Sequence, residues 1–103
     1  GGAHWICIFI NLKNNFIYYF DSNAGETPKQ VRTFINRIKN QAKNIDINLD
    51  EYINQTEHQK QDSQCGMYVL YIITTLLKTN KMPLFKERIP DKQMENLRKI
   101  LFN

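Results

Sequence analysis

Cys65 has the setting of a nucleophile. It ends a polar loop, residues 56–64, and opens the apolar run 65–78 (CGMYVLYIITTLLK). The β-branched content of that run argues for a strand, but its length argues for a buried helix, and length is the better arbiter. A cysteine at a helix N-terminus faces unsatisfied backbone N–H groups and the positive end of the helix dipole. Both favour the thiolate and lower the thiol pKa from its usual value of about 8.5. Gly66, the next residue, lets a substrate backbone come close. The alternative is a cysteine acting as a small buried hydrophobe, and a position after Gln-Asp-Ser-Gln, rather than mid-helix, weighs against it.

A base for that thiol comes from the other end of the chain. Residues 4–10 (HWICIFI) and 16–21 (FIYYFD) are both rich in Ile and aromatics and apolar on both faces, as strands covered on two sides are. The asparagines between them tolerate the positive φ of tight turns, so the unit reads as a β-hairpin. With a loop over 11–14, Ile10 faces Asn15, and counting outward sets His4 directly opposite Asp21. A carboxylate there accepts the imidazole N–H, fixes its tautomer and stabilises the imidazolium. A structural hydrogen bond closing the hairpin is the competing reading of this pair taken alone.

Gln59 lies six positions before Cys65 in the polar loop, where its amide could donate to a developing oxyanion beside the Cys65 backbone N–H. Gln61 and Gln64 are rivals, and spacing does not choose among the three. His4, Cys7, His58 and Cys65 could also be assembled into a zinc set. Three residues apart on a strand, His4 and Cys7 point to opposite faces, which disfavours shared ligation. Cys7 reads instead as core and His58 as a solvated loop histidine, so no metal or other cofactor is expected.

The elements that must position these groups fit one small domain. The chain has 103 residues, 42% apolar and 12% aromatic, enough for a single modest core. After the hairpin, Pro28 suits a first helical position with Thr27 as N-cap. Val31, Phe34, Ile35 and Ile38 then form the apolar face of an amphipathic helix ending near Lys43. Residues 48–55 give a short, partly polar strand, and the loop 56–64, with no apolar anchor, belongs on the surface. Asp91 caps a last helix whose stripe is Met94, Leu97, Ile100 and Leu101. The expected class is α+β: a small mixed sheet of a hairpin plus a further strand, packed on a central buried helix and flanked by amphipathic ones.

Other functions are bounded by composition. The longest apolar run is far short of the roughly 18 to 20 residues that span a bilayer, so no membrane partner is expected. Two cysteines cannot make a disulfide framework, and a bridge between them would consume the nucleophile, which fits a reducing compartment. The net charge of +4 is spread from Lys13 to Lys99 and reads as a solvated basic surface, with a nucleic-acid partner only weakly supported. Gly1 stands where Met would, and a core strand follows almost at once, so the chain is expected to be the catalytic core of a larger domain. Gly1-Gly2-Ala3 reads as a flexible lead-in.

His4-Trp5 opening a strand, Tyr18-Tyr19-Phe20-Asp21-Ser22 closing the next, then Gln59 with Gln64-Cys65-Gly66-Met67-Tyr68, resemble the Ulp-type and adenain-type cysteine proteases. That family cleaves ubiquitin-like precursors and conjugates or viral polyproteins, and the resemblance corresponds to the C-terminal part of its papain-like domain. It implies Cys65 as nucleophile, His4 as general base and then acid, Asp21 as orienter and Gln59 as oxyanion donor. Trp5 matches a tryptophan that roofs a narrow channel for a glycine-rich tail, with Gly66 and Gln64 beside it. The family usually has Asp where Gln64 stands, a variation associated with viral and protist relatives. The implied partner is a protein substrate with a glycine-rich cleavage site, met in cytoplasm or nucleus, or in host cytoplasm or virion if the source is viral. Two other readings are acetyl transfer by the same Cys, His and Asp set, and a non-catalytic module that binds a ubiquitin-like or capsid protein.

Overall fold

The computed structural model describes residues 4–60, 64–79 and 87–102. Gly1-Gly2-Ala3 and the rival Gln61 lie outside them. The elements run β1 (Cys7–Asn11), β2 (Phe16–Phe20), α1 (Lys29–Lys43), β3 (Asp50–Ile53), α2 (Cys65–Thr79) and α3 (Asp91–Phe102). The sheet order is β1-β2-β3, with β1 antiparallel and β3 parallel to β2. A parallel neighbour needs a crossover, and α1 supplies it.

All five residues of β2 are buried, because the sheet is covered on both faces. One face carries Cys7, Phe16, Tyr18 and Phe20 onto Met67, Tyr68, Ile72 and Leu76 of α2 and Met94 of α3. The other carries Ile17 and Tyr19 onto Ile35 and Ala42 of α1 and onto Leu49. Each large side chain so buried contributes about 1.5–3 kcal/mol. Arg32 and Lys39 of α1 reach Glu51 of β3 at 2.7 and 3.4 Å, closing the α1 side at its rim.

The hairpin register differs from the expected one by two residues. Cys7 pairs with Phe20 and Asn11 with Phe16, so the loop is 12–15. The cause is the Asn11 side chain, buried at 8% exposure, whose Oδ1 accepts the Asn14 N–H at 2.8 Å while Asn15 takes the left-handed conformation at φ 60°. Asn11 therefore ends β1 and shapes the turn from inside it. A shift of two preserves which face each side chain occupies, so the core is as expected, but His4 and Asp21 lie beyond the ladder and are not cross-strand partners.

Other boundaries move for local reasons. The strands are shorter than 4–10, 16–21 and 48–55. No side chain caps α1; Pro28 is itself the cap residue, its carbonyl accepting the Arg32 N–H at 3.0 Å, so Thr27 is not the N-cap. In α3, Met94 is buried and Leu97 partly so, whereas Ile100 and Leu101 are exposed, as is Phe34 of α1. Helical spacing identifies an apolar stripe but cannot say how far along it a neighbour extends. Among the described residues no helix is long and apolar enough to cross a membrane.

Candidate active site

The amino end of β1 and the carboxyl ends of β2 and β3 meet at one edge of the sheet, and the start of α2 is brought to the same edge. His4, three residues before β1, places Nε2 2.6 Å from Asp21 Oδ1, one residue past β2. The Asp21 side chain is 12% exposed and that of His4 36%. The same Oδ1 accepts the Asn23 N–H at 2.9 Å, and the Asp21 carbonyl accepts from Ala24 N–H and from Asn54 Nδ2 at 2.7 Å. Asn54, buried at the end of β3, thus ties down the chain that carries the carboxylate. With Nε2 engaged by Asp21, Nδ1 is the ring nitrogen left to exchange a proton with a nucleophile.

Cys65 is the first residue of α2 and is buried. The Trp5 N–H donates to its sulfur at 3.5 Å, so the residue next to His4 touches the thiol 60 positions away. That contact joins the two halves of the site, a link the sequence alone does not provide. Trp5 is 62% exposed and is no core aromatic. With Gly66, Met67, Leu70, Arg98 and Phe102 it lines an open groove of about 380 Å³ beside Cys65. A Cβ added at Gly66 would stand 3.7 Å from Trp5 Cδ1, an ordinary contact, so packing does not require the glycine. Gln64 is buried, and Arg98 Nε donates to its Oε1 at 3.3 Å.

Gln59 joins the same edge through Ser22, whose hydroxyl donates to Gln59 Oε1 at 2.5 Å. Asp21 and Ser22 are consecutive, so one stretch of chain holds both the partner of His4 and the partner of Gln59. The polar loop was expected on the surface, as Glu57 and Lys60 are, but the structure overturns this for two residues between them: His58 is fully buried and Gln59 3% exposed. His58 is not solvated. Its Nδ1 accepts the Ile89 N–H at 2.8 Å, and its ring stacks on Phe20 with centroids 5.7 Å apart. These two polar residues are buried because Ser22, Tyr68, Arg88 and Ile89 supply hydrogen-bond partners in place of water. Ser22, Asn54, Tyr68 and Asp91 carry this arrangement. Sequence reading gave the first three no role and made Asp91 only a helix cap; the available signal was the adjacency of Ser22 to Asp21 and the place of Tyr68 one turn after Cys65.

Cys7 faces the α2 side of the core, where burial pushes its thiol up to about 11. Burial, then the charge of Asp91, raises the Tyr68 hydroxyl, which stays protonated. Among the described residues no three His, Cys, Asp or Glu side chains are placed to hold a metal ion.

The chain as a whole is similar to known cysteine proteases. The chain is 30% identical to a SUMO-1 cysteine protease of African swine fever virus over 98% of its own length and 38% of the relative's. It is 38% identical to the Dictyostelium discoideum protein named "Probable sentrin-specific protease 8", over 93% of the chain and 40% of that protein. A crystal structure of the ASFV protease superposes with a TM-score of 0.86 at 27% identity, covering 97% of the chain and 39% of that structure. The chain therefore spans roughly two fifths of the length of these relatives. The model of the Ulp1 protease family, C-terminal catalytic domain, matches residues 1–103 throughout, and the chain belongs to that family.

Proposed function

We propose that this chain carries the catalytic groups of a thiol-dependent endopeptidase that cleaves after a Gly-Gly-type sequence in a ubiquitin-like precursor or conjugate, or in a viral structural polyprotein. The observation that carries the reading is the pair of contacts on consecutive residues: His4 to Asp21 at 2.6 Å and Trp5 N–H to the Cys65 sulfur at 3.5 Å. They support a base, its orienter and a nucleophile at one corner.

In this reading the Cys65 thiol gives its proton to His4 Nδ1 and the sulfur attacks the scissile carbonyl carbon. The oxyanion is met by the Cys65 N–H at the start of α2 and by the Gln59 amide. Collapse breaks the C–N bond, and His4 returns its proton to the leaving amine. Water, deprotonated by His4, then hydrolyses the thioester and frees Cys65. Asp21 holds Nε2–H and stabilises the imidazolium throughout. Trp5 and Gly66 border the path of a substrate backbone, with Gln64 behind them.

The test is to incubate the full-length protein with a ubiquitin-like protein bearing an electrophile after its terminal Gly-Gly, and with Gly-Gly-X peptides. An adduct located at Cys65 by mass spectrometry, with peptide hydrolysis, is the expected result. Labelling and hydrolysis that persist in Cys65→Ala would overturn the reading. Acetylation of Cys65 by acetyl-CoA without peptide hydrolysis would replace it with acyl transfer.

A further inference from the structure

Gln59 can serve an oxyanion only if its NH2 end, not its carbonyl end, faces the site. The two ends of an amide are nearly equal in size, so shape alone does not select between them. We infer that Ser22 and Tyr68 are positioning residues which set the Gln59 amide and its backbone, and thereby act on the transition state without touching substrate. The inference rests on the reading of Gln59 as oxyanion donor.

Ser22 sets the amide. Its Oγ lies 2.5 Å from Gln59 Oε1, a separation typical of O–H···O and shorter than N–H···O bonds. The hydroxyl therefore donates to the carbonyl end and directs the NH2 end away from itself. Ser22 is fully buried and Gln59 nearly so, which keeps water from substituting for the hydroxyl. The Ser22 carbonyl also accepts the N–H groups of His58 and Gln59 at 2.9 and 3.0 Å.

Tyr68 sets the backbone, because both neighbours of Gln59 are pinned to structure that its hydroxyl organises. Three acceptors surround that single O–H: Ile89 O at 2.6 Å, His58 O at 3.0 Å and Asp91 Oδ1 at 3.3 Å. Arg88 braces the longer two: its Nε donates to His58 O at 2.9 Å, and its guanidinium donates to the other oxygen of the same carboxylate, Asp91 Oδ2, at 3.1 Å. Asp91 Oδ2 further accepts the Lys60 N–H at 3.0 Å. His58 is thus anchored on one side of Gln59 and Lys60 on the other. A donor held on both sides costs no reorganisation when the oxyanion forms, which is where such groups gain their effect.

The experiment measures, in the full-length protein, hydrolysis of a Gly-Gly-X peptide and alkylation of Cys65 by iodoacetamide. Alkylation needs the thiolate but forms no oxyanion. Ser22→Ala and Tyr68→Phe should each lower kcat by about tenfold or more, with little change in KM, since the lost interaction belongs to the transition state. Alkylation should stay within about twofold of the unmodified protein, and Ser22→Thr, which keeps the hydroxyl, should retain kcat. In a Gln59→Ala background neither substitution should lower kcat further. Equal losses with and without Gln59, or an unchanged kcat in Ser22→Ala, would overturn the inference. If Tyr68→Phe fails to fold, the Ser22 cycle decides the question by itself. Absence of Cys65 acylation in the unmodified protein would overturn the functional reading and this inference with it, whereas acylation with additive losses overturns the inference alone.

Discussion

Cys7 and Cys65 are equally hidden, each 6% exposed, yet their surroundings prepare them for opposite fates. Cys7 opens β1, the edge strand of the sheet, with its side chain turned in among the core aromatics, where burial holds its thiol up. Cys65 begins a helix, at the positive end of its dipole, and its sulfur receives the Trp5 N–H. Exposure does not separate them. What separates them is the backbone N–H that Trp5 directs at the Cys65 sulfur, together with the helix start at which Cys65 stands.

The sharpest break in the comparison is by deletion. Cys65→Ala should lower turnover of a Gly-Gly-X peptide by about 10⁴-fold or more, while Cys7→Ala should leave kcat within about twofold and lower the melting temperature by the loss of one small buried group. Comparable loss from both would mean that Cys65 is only packing. Chemical reactivity draws the same line. At neutral pH iodoacetamide should modify Cys65 and spare Cys7, whose thiol is held near 11 by burial.

That shift also has a stability consequence of definite sign. A thiol with an ordinary value of 9.0 raised to about 11 in the fold contributes stability that is complete below pH 9 and is lost as pH rises through 11. Alkaline melts of Cys7→Ala should accordingly fall less steeply over that range than those of the unmodified protein.

Gly66 sharpens the contrast from the neighbouring position. Alanine there should stabilise α2 by about 0.5–1 kcal/mol, since a Cβ meets only an ordinary contact. Turnover should fall by about tenfold or more if the substrate backbone approaches at this point. A melting temperature and an activity that rise together would show that the glycine is not reserved for substrate. The smallest effect belongs to the rim away from the site. Burial raises the Glu51 carboxyl, but Arg32 and Lys39 outweigh it and bring it below its ordinary 4.5, so its contribution is present above pH 4.5 and lost as pH falls through the lowered value. Glu51→Gln should cost at most about 1 kcal/mol at neutral pH, flatten the acid limb of the melting profile and leave kcat unchanged.

The placement of the candidate site residues was more legible than that of their supports. Cys65 at a helix start could be read from the end of a polar loop and the beginning of an apolar run. The pairing of His4 with Asp21 followed from hairpin logic even though the register was two residues off, because both lie past the strand ends, where side-chain reach forgives such an error. The Trp5 contact to Cys65 was not legible, since it joins segments 60 residues apart. His58 was misread for a different reason. Polar composition predicts exposure only when water is the cheapest partner, and here Ile89 and the aromatic rings of Phe20 and Tyr68 replace it. The same limit explains Ile100 and Leu101, where periodicity described a face but not its cover.

The direction of the strands separates two ends of the sheet by about 17 Å, the length of a five-residue strand. Every group discussed for chemistry leaves from one end; the loop 12–15, whose residues are all exposed, leaves from the other. Its turn is shaped by Asn11 and Asn15, so a reporter coupled to the exposed side chain of Lys13 would spare that turn and sit at the far end of the sheet from the candidate active site. This loop offers a place to label or immobilise the protein while the proposed activity is assayed.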